Sequence, residues 1–314
     1  MTIGSVITIA VFLGLLYFLF QEIRRPVRDS KWDRGLRLRK RLRIAFITIV
    51  LFALGIAVWA FFIEPNRLVT RHETVQIERW PVELSELKIA VLSDIHAGGR
   101  FIDDGKLRLI VERTNQLQPD LIVILGDYVS GGRGDHGMAP EQFAPLLKGF
   151  HAPLGVYTVL GNHDWWFDGE RVRRELEANG IKVLENDITQ IETRGRSFWL
   201  LGLADLWTRA PRHAESIAKV PEGDPIIAIA HNPDSFPGLP QRVRLFLAGH
   251  THGGQVRLPL IGTLVHTSDY GDRYEAGHVF ENGHHLFVTT GIGTSIVPVR
   301  FGVPPEIVLL TVKS

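Results

Sequence analysis

Eight short apolar runs constrain this chain most. LKIAVLS (87–93), LIVIL (121–125), GVYTVL (155–160), FWLLGL (198–203), PIIAIA (225–230), VRLFLA (243–248), HLFVTT (285–290) and EIVLLTV (306–312) have strand length, and several are apolar on both faces. A strand of that kind has to be covered from two sides, so the sheets it builds lie inside a layered α/β structure. Between the first two runs, Asp104 precedes Leu107, Ile110, Val111, Thr114 and Leu117 at helical spacing, and Pro119 closes the stretch. A strand, helix, strand unit is expected there. A second helix is expected over 170–178, with Gly180 as its C-terminal cap.

The polar residues that end these runs carry the chemistry. VLSDIHAGG ends the first with Asp94 and His96, VILGDYVSGG the second with Asp127, and TVLGNHDWW the third with Asn162, His163 and Asp164. AIAHNPDSF ends a later run with His231, and LAGHTHGGQV ends the next with His250 and His252. Singly, each has an ordinary explanation as a helix cap, a turn or a satisfied core histidine. Five such endings in order, all with hard oxygen or imidazole donors, exceed turn chemistry and suit a pair of divalent cations. On an extended segment residues i and i+2 point the same way, so Asp94 with His96, and His250 with His252, can each converge on a centre. Asp127, with two carboxylate oxygens, is the natural shared ligand. The chain has no cysteine, so any metal is held by His, Asp, Glu or Asn. That donor set suits Mn, Fe, Zn or Co without choosing among them. The glycines around His250 and His252 are expected to let the turn approach the cations without a Cβ in the way.

Asp-x-His, Gly-Asp, Gly-Asn-His-Asp, His and Gly-His-Thr-His, in this order and at strand ends, resemble the signature of the calcineurin-like metallophosphoesterases from about Leu87 to the C-terminus. The resemblance implies a four-layer αββα sandwich of two mixed sheets. It implies Asp94, His96, Asp127 and His252 on one metal, and Asp127, Asn162, His231 and His250 on the other. His163 then matches the non-ligand histidine beside the leaving group. Two such metals bind a phosphoryl group and lower the pKa of a shared water, so a phosphoester or pyrophosphate bond is hydrolysed without a covalent enzyme intermediate. The sequence departs from the family in one place: Ser130 and Gly131 stand where an acidic residue often orients that histidine, with Asp164 as a substitute. GHTHGGQ and TTGIGTSIVPVRFGVPPEIVLLTV further resemble a membrane-associated bacterial subgroup that includes UDP-2,3-diacylglucosamine pyrophosphatases of lipid A synthesis. Arg300 is a candidate phosphate clamp, and Trp165 and Trp166 a candidate wall for an acyl chain or base.

Ahead of this domain lie two uncharged segments, 3–20 and 44–63, each close to the roughly 20 apolar residues that cross a bilayer core. The expected organisation is a membrane anchor over 1–63 with two transmembrane helices, a linker over 64–83 that reads as a stalk or edge strand, and the catalytic domain over 84–314. The connector 21–43 carries 10 Lys/Arg against 3 acids, and the remainder of the chain 25 against 31, which offset to a net +1. Positive loops stay cytoplasmic, which places both termini and the catalytic domain outside. The expected partners are a phosphorylated small-molecule or lipid substrate and the membrane. An acidic soluble part disfavours nucleic acid, and with it a nuclease on the same fold. A membrane-tethered metal or ligand sensor without turnover is the other rival, and a complete ligand set with His163 argues against it.

Overall fold

The computed structural model describes residues 14, 16–21, 23, 24, 34–131 and 137–314. The chain forms two compact units, residues 1–63 and 64–314.

In the first unit, helix α1 (Arg34–Val58) continues through a π-helical turn, Trp59–Ile63. It starts ten residues before the apolar segment expected at 44–63, because the connector's end is a run of Leu, Arg and Lys, all good helix formers. Phe46, Ile49 and Phe52 on it are all exposed, so this apolar face is not packed against a core among the described residues. This is the one helix among the described residues long and apolar enough to cross a membrane. Of the other expected span, 3–20, residues 14 and 16–20 are helical and the rest lie outside the described residues.

The second unit is built on two mixed six-stranded sheets. The first runs β1 (Val69–Gln76), β14 (Glu306–Lys313), β2 (Leu87–Leu92), β3 (Leu121–Ile124), β4 (Val156–Thr158) and β5 (Lys182–Val183). Strands β2 to β5 are parallel, and β14 opposes β2. The stretch 64–83 supplies the edge: β1 lies parallel to β14, Val69 opposite Glu306. The second sheet runs β12 (Gly277–Glu281), β13 (His284–Val288), β9 (Val243–Ala248), β8 (Ile226–Ile229), β7 (Arg196–Gly202) and β6 (Asp187–Thr193). Its four middle strands are parallel and its two edges antiparallel.

The sheets face each other across one apolar layer. Ile89, Val91, Val123 and Leu310 of the first meet Phe198, Leu200, Ile229 and Leu247 of the second, all fully buried. The outer face of the first sheet, with Ala90, Leu92, Ile122 and Ile124, is covered by helices. These are α2 (Asp104–Gln116) through Leu107 and Ile110, α3 (Pro140–Leu147) through Phe143, and α4 (Asn162–Ala178) through Val172 and Leu176. Asp103 caps α2, its carboxylate accepting from Lys106 N at 2.8 Å. Among the described residues the fourth layer departs from the expected helices. The outer face of the second sheet packs on a one-turn helix, Ala214–Ile217, and on 3-10 turns at Pro233–Gly238 and Gly271–Tyr274. Ile217, Phe236 and Tyr274 supply there the apolar cover that a longer helix would give.

Phe198 fills the middle of the layer between the sheets. Phe198→Ala should lower unfolding free energy by about 3–5 kcal/mol, since both sheets are too constrained to close the cavity. Denaturant unfolding followed by near-ultraviolet circular dichroism measures it.

Candidate metal centre

The parallel strands β2, β3 and β4 of one sheet and β8 and β9 of the other all end at the same edge of the sandwich. That is where loops after α/β strands build sites. Asp94 and His96 follow β2, Asp127 follows β3, Asn162 and His163 open α4 after β4, His231 follows β8, and His250 and His252 follow β9.

The pairs converge by backbone twist, a correction to the extended geometry expected for them. Asp94, His96, Asp127, His250 and His252 all have left-handed φ, between 49° and 70°. Each such non-glycine residue costs roughly 1–2 kcal/mol. Backbone bonds between the loops hold the kinks: Asp94 N donates to Gly126 O and His96 N to Asp127 O, both at 3.0 Å. Glycines beside these residues leave space for them. A Cβ on Gly249 would overlap the Ser93 hydroxyl, and one on Gly161 the Asp127 carboxylate. They make room for neighbouring side chains.

Two donor clusters result. In the first, His252 Nε2 lies 3.3 Å from Asp94 Oδ1 and 3.3 Å from His96 Nε2. In the second, His231 Nε2 lies 3.1 Å from Asn162 Oδ1, 3.1 Å from His250 Nδ1 and 3.2 Å from Asp127 Oδ2. Asp127 Oδ2 also lies 3.8 Å from His96 Nε2, so one carboxylate oxygen faces both groups. Its other oxygen accepts the His163 backbone N–H at 2.9 Å. His250 and His252 thus join different clusters, while Thr251 turns aside and donates to Glu275 O.

His96 Nδ1 bonds Val129 O at 2.9 Å, which places the N–H there and leaves Nε2 with its lone pair, whereas His231, with Nδ1 2.7 Å from Leu125 O, holds a second proton on Nε2 facing the Asp127 carboxylate. The His96 lone pair, the Asp94 and Asp127 carboxylates and the Asn162 amide oxygen therefore converge on this edge, where a cation would take the place of the His231 proton. Asp94 Oδ1 is buried and has no hydrogen-bond partner among the described residues. The nitrogen and oxygen donors fit divalent metals of the Mn, Fe, Zn or Co kind.

Electrostatics agree. Burial pushes His96 and His252 down, and burial with the neighbouring His231 takes His250 down to about 3, so these rings are neutral and free to ligate. Burial also works on Asp127, but His231, His163 and His96 outweigh it and hold its carboxyl well below the usual range. Burial alone would lower His231. Asp127, with Asp94 and Asp205, overrides it and carries the imidazole up to about 10.

His163 stands beside this centre, its Nε2 4.0 Å from Asp127 Oδ2 and 3.2 Å from Ser295 Oγ. Its Nδ1 is held by the carbonyl of Gly131 at 2.9 Å, so a carbonyl supplies the orienting partner and Asp164 does not. The Asp164 carboxylate is spent on four backbone amides, those of Asp127, Tyr128, Val129 and Gly161. Burial, then the Asp127 charge, push that carboxyl up to about 7.

Arg300 is corrected as a phosphate clamp. It is fully buried, and its guanidinium donates to the carbonyls of Thr290, Gly293 and Val303. Its work is to brace the loop after β13. Of the two tryptophans, Trp165 packs on the helical layer under Arg209, whereas Trp166 is exposed, 5.0 Å from the His163 ring. Trp207 stacks on Trp166 and meets His250 edge-on at 4.3 Å. Trp207, Ser295 and the buried Asp205 are absent from the strand-end motifs. Asp205 closes the FWLLGLAD run as Asp94 closes its own, and that parallel is the signal it carried. His151, His213, His266, His278, His284 and His285 take no place in either cluster, and His136 lies outside the described residues.

A family model described as Calcineurin-like phosphoesterase matches residues 87–254. The chain is 31% identical to an uncharacterized metallophosphoesterase, YkuE, of Bacillus subtilis, over 82% of this chain and 89% of that one. It is 33% identical to the phosphodiesterase YaeI of Escherichia coli, over 71% and 81%. It is also 30% identical to a Danio rerio transmembrane protein with metallophosphoesterase domain, over 97% and 72%.

Two outcomes follow from the centre. His231 keeps its proton to about pH 10 when folded and loses it near 6.5 when unfolded, so its stabilisation is full below 6.5 and lost as pH rises through 10. A cation competes with that proton. Mn²⁺ titration of the metal-free chain at pH 7 should therefore release about one proton at this cluster, with affinity rising as pH rises. Calorimetry in buffers of different ionisation enthalpy counts the proton. Asp164→Asn sets an amide N–H₂ against backbone donors and should cost about 1–3 kcal/mol, read as a lower Tm together with reduced metal content.

Proposed function

Because the chain belongs to the calcineurin-like phosphoesterase family and is a metal-dependent phosphoesterase, we propose that it hydrolyses a phosphoester or pyrophosphate bond at a binuclear centre while anchored to a membrane. The observation that carries the binuclear reading is the single Asp127 oxygen facing both donor clusters. Asp94, His96, His252 and Asp127 would hold one divalent cation, and Asp127, Asn162, His231 and His250 the other. When bound, the cations supply positive charge to hold and polarise a phosphoryl group and activate water near neutral pH.

The protein's own residues do the rest. His163 is the group we assign to the leaving oxygen, which its Nε2 edge would protonate or charge-stabilise. The Gly131 carbonyl keeps that edge turned to the centre. Trp166 and Trp207 offer an exposed aromatic wall along the same edge, suited to an acyl chain or a planar leaving group.

The anchor we assign is the pair of apolar segments 3–20 and 44–63. The length and composition of the helix over 37–66 and the likeness to a transmembrane protein support it. The substrate we assign is lipid-linked. With the domain on the cytoplasmic face, UDP-2,3-diacylglucosamine is the specific case. With the domain outside, as the basic connector favours, the substrate is an extracytoplasmic phospholipid or another lipid-linked phosphoester. Nucleic acid is disfavoured by the acidic balance of the catalytic unit.

His163→Ala should lower kcat by about 10²–10⁴ while leaving metal content intact. Turnover of bis(p-nitrophenyl) phosphate beside metal analysis tests this, and equal loss of both metals would remove His163 from its assigned role. Assays with a nucleotide-sugar lipid and single-stranded DNA test the substrate class. Alkaline phosphatase and fluorescent protein fusions at Ser314 decide the side: an active phosphatase fusion is expected, and a fluorescent cytoplasmic one would select the nucleotide-sugar lipid.

A further inference from the structure

Two loops beside the metal centre carry aliphatic side chains into solvent. One is the hairpin of β10 (Arg257–Leu258) and β11 (Gly262–Thr263), with Leu260 and Ile261 at its tip and Leu264 and Val265 just after it. The other follows Ser295 and carries Ile296 and Val297. Leu260 and Ile296 are essentially fully exposed, at 108% and 98%, and the other four are exposed as well.

The loops form one surface. The Gln255 side chain accepts from Ser295 N at 2.7 Å and donates to Ser295 O at 3.0 Å, while Arg257 N donates to Phe301 O at 2.8 Å. This surface borders the catalytic edge, since Ser295 Oγ is the group 3.2 Å from His163 Nε2.

In water these residues are poor choices. Leu260 and Ile296 have φ of 67° and 60°, the left-handed region where glycine or asparagine serves a turn at little cost and a β-branched residue is a genuine outlier. Each tip thus combines a strained backbone with a wholly hydrated aliphatic side chain. An apolar medium for the side chain removes the second penalty, and the transfer free energy offsets the backbone strain without relieving it.

The chain itself indicates which medium. Glu64, the first residue of the catalytic unit, directly follows the apolar segment 44–63, and its carboxylate accepts the amide of Gly302 at 3.0 Å. Gly302 belongs to the same 295–302 loop as Ile296. The chain therefore enters the catalytic unit at the loop that exposes its aliphatic residues. We infer that the tips at Leu260–Ile261 and Ile296–Val297 insert into the lipid bilayer that anchors the chain, holding the metal centre at the lipid surface. This rests on the reading of 44–63 as a membrane span.

The absence of cysteine makes the test direct. Leu260→Cys, Ile296→Cys and, as a control on the far edge strand β6, Glu192→Cys are each labelled in the full chain with an environment-sensitive fluorophore. The labelled chains are reconstituted in vesicles of phosphatidylethanolamine and phosphatidylglycerol, and each variant's fold is checked by turnover of bis(p-nitrophenyl) phosphate. At Leu260 and Ile296 the emission should shift to the blue, brominated lipid should quench it, and iodide quenching should fall several-fold relative to the Glu192 label. Chains that float with the vesicles while all three labels remain equally open to iodide overturn the insertion and leave the anchor standing. Chains that do not float with the vesicles overturn both.

Discussion

The catalytic edge depends on where one carboxylate is held. Asp127 is fixed from three directions: its own N–H is bound by Asp164, its Oδ1 by the N–H of His163, and its main chain is locked in a left-handed turn after β3. Only then does Oδ2 come to face His96 of one cluster and His231 of the other. A shift of about an ångström would separate the clusters, because metal–ligand bonds are only about 2.0–2.2 Å long for these donors. The Gly-Asn-His-Asp block therefore works as a unit. Asn162 faces the centre, His163 gives its amide to Asp127, Asp164 gathers the amides of the turn, and Gly161 leaves space for the carboxylate.

The same edge is costly to fold. Five charged or ionisable residues in left-handed conformations, at roughly 1–2 kcal/mol each, amount to something on the order of the net stability of a whole domain. Burying unpaired lone pairs adds to it. The two sheets carry this load by being rigid on both faces: β2, β3, β8 and β9 are almost wholly buried, and their ends have little freedom to relax. A cation among the donors would give the buried Asp94 Oδ1 a partner and displace the His231 proton, so metal binding and folding of this edge are coupled.

What was legible in the sequence follows from this division. The buried parallel strands announce themselves as runs apolar on both faces, and the donors stand at their ends, so both could be read without coordinates. The edge strands β1 and β6 alternate or are polar, and β1 finds its partner, β14, only at the other end of the catalytic unit. The start of α4 was hidden by Asp168 and Gly169. Asp168 breaks the helix at φ −172° and ψ 84°, so the recognisable periodicity begins only after the residues that matter chemically. Left-handed φ at Asp or His has no sequence signature, which is why the pairs read as extended. Arg300 misled for a similar reason: a guanidinium spent on three carbonyls and one offered to a phosphate are the same letter in the sequence.

The replacement of an acidic partner by the Gly131 carbonyl has a consequence for His163. A carbonyl accepts the Nδ1 proton and fixes the tautomer, but it adds no charge to stabilise a second proton. In the neutral ring Nε2 is an acceptor, and the Ser295 hydroxyl at 3.2 Å is able to donate to it. In the doubly protonated ring the direction reverses and the hydroxyl accepts. Ser295 can follow His163 through both states without moving, whereas an acidic partner would favour the charged one. In the role proposed for His163, the charges nearest to its Nε2 are then the Asp127 carboxylate 4.0 Å away and the substrate's own phosphoryl group, with no acidic partner on the Nδ1 side.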